Sequence, residues 1–178
     1  LRVLAHSGVA RFTLLDDDVV DASNLQRQTL YDDADVGSLK VEAAARRVQA
    51  LSPMKVSIEK IVDRLVPDNA LALMRGHALV IEGADNFATK FLAADAAKLA
   101  GVPLVQAGCV RFTGWALASL PDEGACMRCV FEDIPRGQPE TCAIAGGLGP
   151  VVGVLGALEA MLALELLHGR LRAASVVH

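Results

Sequence analysis

Two groups of acidic residues stand where strand ends are expected. Asp16, Asp17 and Asp18 follow the apolar run RFTLL (11–15), and Asp85-Asn86 follow HALVIE (77–82) and Gly83. A carboxylate beyond the carboxyl end of a strand can accept hydrogen bonds from the vicinal hydroxyls of a ribose, or it can hold Mg²⁺. Asp16 and Asp18 equally suit a solvated turn, and Asp85 taken alone reads better as a helix N-cap. Asn24, Arg27 and Lys40 lie on the segment leaving the first strand, with Lys40 in the first turn of the next helix. A helix N-terminus attracts anions, and a lysine there adds a point charge suited to a triphosphate. Acids for Mg²⁺ or ribose together with cations for phosphates make a chemically coherent nucleotide site.

The cysteines suggest a second chemistry. Cys126 and Cys129 have the spacing of half a tetrahedral zinc site, which four thiolates would complete. Cys142 follows Thr141 in a long irregular segment from Pro121 to Gly147, and Cys109 reads as a small buried filler. Four cysteines without a secretory leader fit a reducing, cytoplasmic setting better than a disulfide framework.

These groups need a scaffold, and the apolar pattern describes one. A buried strand at 11–15 leads through the acidic loop to a surface helix from Ser38 to Leu51, stopped by Pro53. A strand at 55–59, a short helix after Pro67, a strand at 77–82, a helix at 87–100 and a strand at 102–106 follow. Strand alternating with helix implies right-handed crossovers and a mostly parallel, doubly wound α/β sheet. Residues 115–120 come directly after a Thr113-Gly114 turn signal and are expected to pair antiparallel at the end of the sheet. The last helix, about 150–167, places Gly149, Gly153 and Ala157 four apart. That small flank is read first as tight packing onto the sheet and second as a dimer interface.

With 178 residues, 53% of them hydrophobic, the chain is long enough for one well-filled core and is read as a single α/β domain. A net charge of −4 without a basic face argues against nucleic acid as a partner. Residues 142–158 carry no charge, but their glycines and the Glu159 and Glu165 that follow favour a buried helix over a membrane span.

The run Leu15-Asp16-Asp17-Asp18-Val19-Val20, then Ser23-Asn24-Leu25-Gln26-Arg27-Gln28, then Asp35-Val36-Gly37 with Lys40, resembles the adenylyltransferases of molybdopterin and thiamine biosynthesis, the MoeB/ThiF/HesA group related to ubiquitin-activating enzymes. The match continues through Asp85-Asn86, Pro103-Leu104-Val105, Gly108, Gly114, Cys126-Met127-Arg128-Cys129, Thr141-Cys142 and the helix from Gly149. The resemblance implies a Rossmann-like fold and a homodimer. It also implies ATP-dependent adenylylation of the C-terminal carboxylate of a small ubiquitin-like sulfur-carrier protein ending in Gly-Gly, with release of pyrophosphate. By the same resemblance the nucleotide contacts fall on Asp16, Asp18 and the stretch Ser23, Asn24, Leu25, Gln26 and Arg27, with Lys40, Asp85 and Asn86. Asp16 would hold the ribose, Asn24, Arg27 and Lys40 the phosphates, and Asp85 the Mg²⁺. Cys126 and Cys129 would supply half of a zinc site, and Cys142 matches a position used by some relatives in sulfur transfer or thioester chemistry.

Three departures accompany the resemblance. The first strand and Gly-rich loop of the family are absent, since the sequence starts inside what should be the following helix, the second cysteine pair is missing, and Lys90 stands where an arginine is frequent. The chain therefore reads as truncated at both ends. A dinucleotide-dependent oxidoreductase and a non-catalytic partner that docks a ubiquitin-like protein are the rival readings. A dehydrogenase has no need of the Asn24, Arg27 and Lys40 set.

Overall fold

A computed structural model describes residues 1–131 and 147–171 and the backbone of 175–177. The described residues form two compact units, Leu1–Arg64 and Leu65–His178.

In the first unit, α1 (Arg2–His6) precedes β1 (Arg11–Leu15), α2 (Lys40–Leu51) and β2 (Ser57–Ile61). β1 and β2 pair in parallel with Arg11 opposite Ser57 and Leu15 opposite Ile61. Helix α2 is the crossover between them. It buries Val41, Ala44 and Ala45 against Leu14, while Val48 meets Ala5 and Val56. The helix expected from Ser38 begins at Lys40, and the strand expected at 55–59 lies at 57–61. Val56 is buried ahead of the pairing, so its apolar character marks the approach to the strand.

In the second unit, α3 (Pro67–Met74), β3 (Val80–Glu82), α4 (Phe87–Ala100), β4 (Leu104–Val110) and β5 (Thr113–Ser119) follow in order. A single turn, α5 (Met127–Val130), the long α6 (Gly149–Leu167) and β6 (Ser175–Val177) complete it. The sheet order is β3-β4-β5-β6, with β3 and β4 parallel. The pairs β4–β5 and β5–β6 are antiparallel. The fold class is thus the expected one: parallel strands joined through helices, with antiparallel strands at the C-terminal end. Helix α4 has the expected bounds, closed at its end by Gly101 in the left-handed region at φ 70°.

Two expectations need correction. The turn before β5 is not Thr113-Gly114. It is made by Arg111 and Phe112, with Arg111 at φ 55°. Both residues of the expected turn pair within the ladder, Thr113 with Val110 and Gly114 with Cys109. Gly114 is needed there because a Cβ would stand 2.5 Å from Leu155 Cδ1 and 2.9 Å from the Gly108 carbonyl oxygen.

The close approach of α6 to the sheet is therefore made by a glycine of the strand and not by the small flank of the helix. Leu155, Ala160, Leu162 and Ala163 of α6 are buried, whereas Gly153 and Ala157 are exposed. The helix has the length and apolar composition of a membrane span, and 22% of its most apolar window is buried. The helix expected to be buried is buried along one face. Residues 132–146, and with them Cys142, lie outside the described residues.

Candidate functional site

The acidic loop and the start of α2 are tied by backbone before any side chain acts. Val20 N–H donates to the Ser38 carbonyl at 2.8 Å, Gly37 N–H to Val20 at 2.9 Å and Lys40 N–H to Asp18 at 2.9 Å. This short antiparallel contact brings the carboxyl end of β1 beside the N-terminus of α2. Lys40, only 9% exposed, then places its Nζ 2.8 Å from Asp18 Oδ2.

Asp16 Oδ1 accepts the Asp18 N–H at 2.9 Å, which curls the loop over itself. Burial raises the Asp16 carboxyl above its ordinary value, while the Asp18 N–H and Lys40 oppose the rise. The carboxylates of Asp16, Asp17 and Asp18 come within 4.8 Å of one another, close enough to share a cation. Asp17 is also drawn to Arg64 Nε at 2.6 Å. The loop therefore combines carboxylates with a half-sequestered ammonium at the end of a parallel strand, where ligands of open α/β sheets are held.

The next segment is a short helical turn at Ala22–Asn24, capped by Asp21. Asp21 accepts the Ser23 N–H at 2.7 Å, and its bonds to the Ser23 hydroxyl and N–H hold its carboxyl below the usual range. Ser23 is thus a capping partner as well as a candidate ligand. Arg27 donates through Nη2 to Asn24 Oδ1 at 2.7 Å and through Nη1 to the Ser23 carbonyl at 3.3 Å. Asn24 and Arg27 are brought together as a pair, half-buried, with Leu25 half-buried and Gln26 exposed beside them.

Behind them Asp32 and Asp35 form a capping box that binds Arg47, and Asp35 also accepts from Arg46 at 3.1 Å. Arg47 is the chief cause that holds the Asp35 carboxyl below the usual range, against burial. Tyr31 donates to the Lys40 carbonyl at 3.3 Å. Burial, with Asp16 and Asp35 nearby, pushes its phenol up to about 12.

In the second unit, Asp85 and Asn86 are both exposed on the turn between β3 and α4. Asn86, and not Asp85, is the N-cap: its Oδ1 accepts the Thr89 N–H at 2.8 Å. Asp85 is therefore not committed to the helix and remains suited to a cation. Beneath this turn is a polar cluster that the sequence reading missed. Glu82 accepts from Lys90 Nζ at 3.1 Å and from Gln106 Nε2 at 2.9 Å, and all three residues are buried. Lys90 also donates to the Ala107 carbonyl and lies 5.6 Å from the Trp115 ring centroid. Its ammonium is directed into the protein. The signal in the sequence was the charged Glu82 closing an otherwise apolar strand, with Lys90 on the helix that follows.

Cys126 and Cys129 meet with Sγ atoms 3.6 Å apart. Two thiolates on a tetrahedral zinc with bonds of about 2.3 Å stand roughly 3.8 Å apart, so the pair fits one edge of such a site. Hydrogen bonds from the Cys126 backbone and thiol, helped by Lys98 and opposed by burial, lower the Cys129 thiol from its ordinary value. Arg128, between the cysteines, forks onto Asp95 of α4 at 2.8 and 2.7 Å and lies 5.2 Å from the Phe91 ring centroid. It anchors the cysteine turn to α4. Cys109 is half-buried in β4, more accessible than a buried filler.

Residues 1–177 match the ThiF family. The chain is 41% identical over 175 residues to the sulfur carrier protein adenylyltransferase of Thermus thermophilus, covering 95% of this chain and 64% of that one. It is 39% identical over 168 residues to the SAMP-activating enzyme E1 of Haloferax volcanii, covering 94% of this chain and 62% of that one. The chain thus spans less than two thirds of the length of either relative. Among solved structures it is similar to E. coli MccB, with a TM-score of 0.79 and 22% identity over 96% of this chain and 52% of that one. That likeness concerns the fold. The match along almost the whole chain makes this chain a member of the ThiF family.

Proposed function

We propose that the protein carrying this chain adenylates the C-terminal carboxylate of a small ubiquitin-like sulfur-carrier protein ending in Gly-Gly. The observation that carries the reading is the meeting of Asp16, Asp18 and Lys40 at the carboxyl end of β1. One relative is named as a sulfur carrier protein adenylyltransferase and another as a SAMP-activating enzyme E1, which favours adenylyl transfer over hydride transfer.

In this reading Asp16 accepts hydrogen bonds from the ribose of ATP. Lys40, with the Asn24–Arg27 pair and the neighbouring Ser23, Leu25 and Gln26, aligns the phosphates. Asp85, with Asn86 beside it, holds Mg²⁺. The exposed, uncapped carboxylate of Asp85 suits that hard cation. Bound there, Mg²⁺ would neutralise charge that develops on the phosphates. The carrier's carboxylate oxygen attacks the α-phosphorus, the bond to the bridging oxygen breaks, and pyrophosphate leaves with the electron pair. The protein's share is alignment and electrostatics, since no covalent enzyme intermediate is required.

Cys126 and Cys129 would hold Zn²⁺ together with further thiolates of the whole protein. Cys142 would serve sulfur or thioester chemistry. The exposed flank of α6, with Val154 at 62% and Met161 at 48%, supports a homodimer. The paired free thiols suit a reducing cytoplasm, and the two units would act as one domain. ATP–pyrophosphate exchange by the full-length protein, with and without the carrier, tests the reading. Exchange that requires the carrier supports it, and carrier-independent exchange opposes it.

A further inference from the structure

One more carboxyl, on helix α6, faces the cluster under the Asp85 turn. Helix α6 packs on β4 and β5 and brings Glu159 toward Lys90 and Glu82. Glu159 Oε1 and Gln106 Oε1 are both buried without a hydrogen-bond partner among the described residues. Two buried acceptors that lack a donor form a costly arrangement, and an added proton relieves it. A protonated Glu159 has an O–H to give, and the Gln106 amide oxygen can receive one.

The ties of Glu82 give this proton a consequence. One Glu82 oxygen accepts the Ala84 N–H, and the other accepts Lys90 and Gln106. Gln106 Nε2 in turn donates to the Lys90 carbonyl at 2.9 Å. The carboxylate thereby fixes the Gly83-Ala84 turn that presents Asp85 and Asn86. With Glu159 neutral, Lys90 balances Glu82 alone. With Glu159 ionised, two carboxylates compete for one ammonium in a region of low dielectric.

We propose that Glu82, Lys90, Gln106 and Glu159 are positioning residues for Asp85, and that the proton on Glu159 sets how firmly Glu82 holds the Asp85 turn. The inference rests on the assignment of Asp85 to the nucleotide–metal site. The groups facing Glu159 agree with it: burial pushes its carboxyl up to about 7, Lys90 from α4 opposes the rise, and Glu82 from β3 adds to it. The device would therefore act near neutral pH, with the turn held best on the acid side.

The test uses the full-length protein with alanine ¹⁵N-labelled, following the Ala84 amide against pH, with Ala84→Gly to assign it. The same pH series is run for ATP–pyrophosphate exchange with carrier and Mg²⁺ at saturation. In the wild type the amide moves with a midpoint near neutrality, and exchange falls roughly threefold or more from about pH 6 to about pH 8. Glu159→Gln, which keeps the shape and carries a neutral group, abolishes both effects and retains the rate seen at the acid end. An Ala84 amide that does not titrate, or that titrates equally in Glu159→Gln, overturns the proposal. A Glu159-dependent amide titration with exchange indifferent to Asp85→Ala overturns the assignment of Asp85, while the support of the turn by Glu159 stands.

Discussion

Lys40 Nζ lies 2.8 Å from Asp18 Oδ2, although 22 positions separate the two residues in the chain. The pairing holds the ammonium at the mouth of the acidic loop, where a phosphate can replace or join the carboxylate. Lys40→Ala is expected to lower kcat/KM for ATP in pyrophosphate exchange by about 10²-fold. Lys40→Arg should recover only part of it, because the planar fork does not fit where the compact ammonium meets Asp18. Unchanged kinetics in Lys40→Ala would remove the residue from the phosphate site.

Asp85 and its neighbour should separate by role. Asp85→Ala is expected to lower exchange on the order of 10²-fold or more while leaving thermal stability close to the wild type. Asn86→Ala should instead cost about 0.5–2 kcal/mol of stability through the lost cap. Thermal unfolding and exchange rates on both variants check the division. A large destabilisation by Asp85→Ala would mean that Asp85 supports the turn rather than the metal.

Much of this was legible in the sequence, and the reasons are local. Helix α4 announced itself through Asn86, its apolar periodicity and Gly101, all read over one short stretch. The strand from Arg11 to Leu15 was a bounded apolar run. The hairpin turn was misplaced because Gly114 looks like a turn residue. Its glycine identity serves Leu155, more than forty residues away, a contact that no local pattern contains. The small flank of α6 was assigned to the sheet for a similar reason, since helical spacing defines a face but not what covers it. The nucleotide candidates were visible as residue types at strand ends. Their partners were not: Lys40 with Asp18, Arg27 with Asn24 and Ser23 with Asp21 depend on backbone turns. The Glu82–Lys90–Gln106 cluster needed β3, α4 and β4 to be assembled first.

Stability should depend on pH through Glu159. Its carboxyl titrates at about 7 when folded, against an ordinary value of 4.5. Between those values the folded form keeps a proton that the unfolded chain has released. Its contribution is therefore full below 4.5 and is lost as pH rises through about 7. Glu159→Gln should flatten this part of the profile and be more stable than the wild type at about pH 8, by on the order of 1 to 3 kcal/mol. Denaturant unfolding of both proteins across the range checks the sign. A wild-type advantage that grows with pH would contradict it.

The cysteine pair should bind metal in the full-length protein at about one zinc per chain. Cys126→Ser or Cys129→Ser is expected to abolish stoichiometric zinc. Arg128→Ala, which frees the cysteine turn from Asp95, should weaken retention about tenfold without removing a ligand. Elemental analysis after dialysis against graded chelator distinguishes the cases. Retention of zinc by the double serine variant would place the metal elsewhere.

The identity of the group that attacks ATP tests adenylyl transfer to a carrier most directly. Labelled pyrophosphate is incubated with ATP, Mg²⁺ and the full-length protein. The reaction is run alone, with a ubiquitin-like carrier ending in Gly-Gly, and with the same carrier after its terminal carboxylate is amidated. Incorporation of label into ATP only with the free carboxylate is the predicted result, because only that group can accept the adenylyl moiety and return it. Equal incorporation with the amidated carrier, or without any carrier, would contradict adenylylation of a carrier's C-terminus.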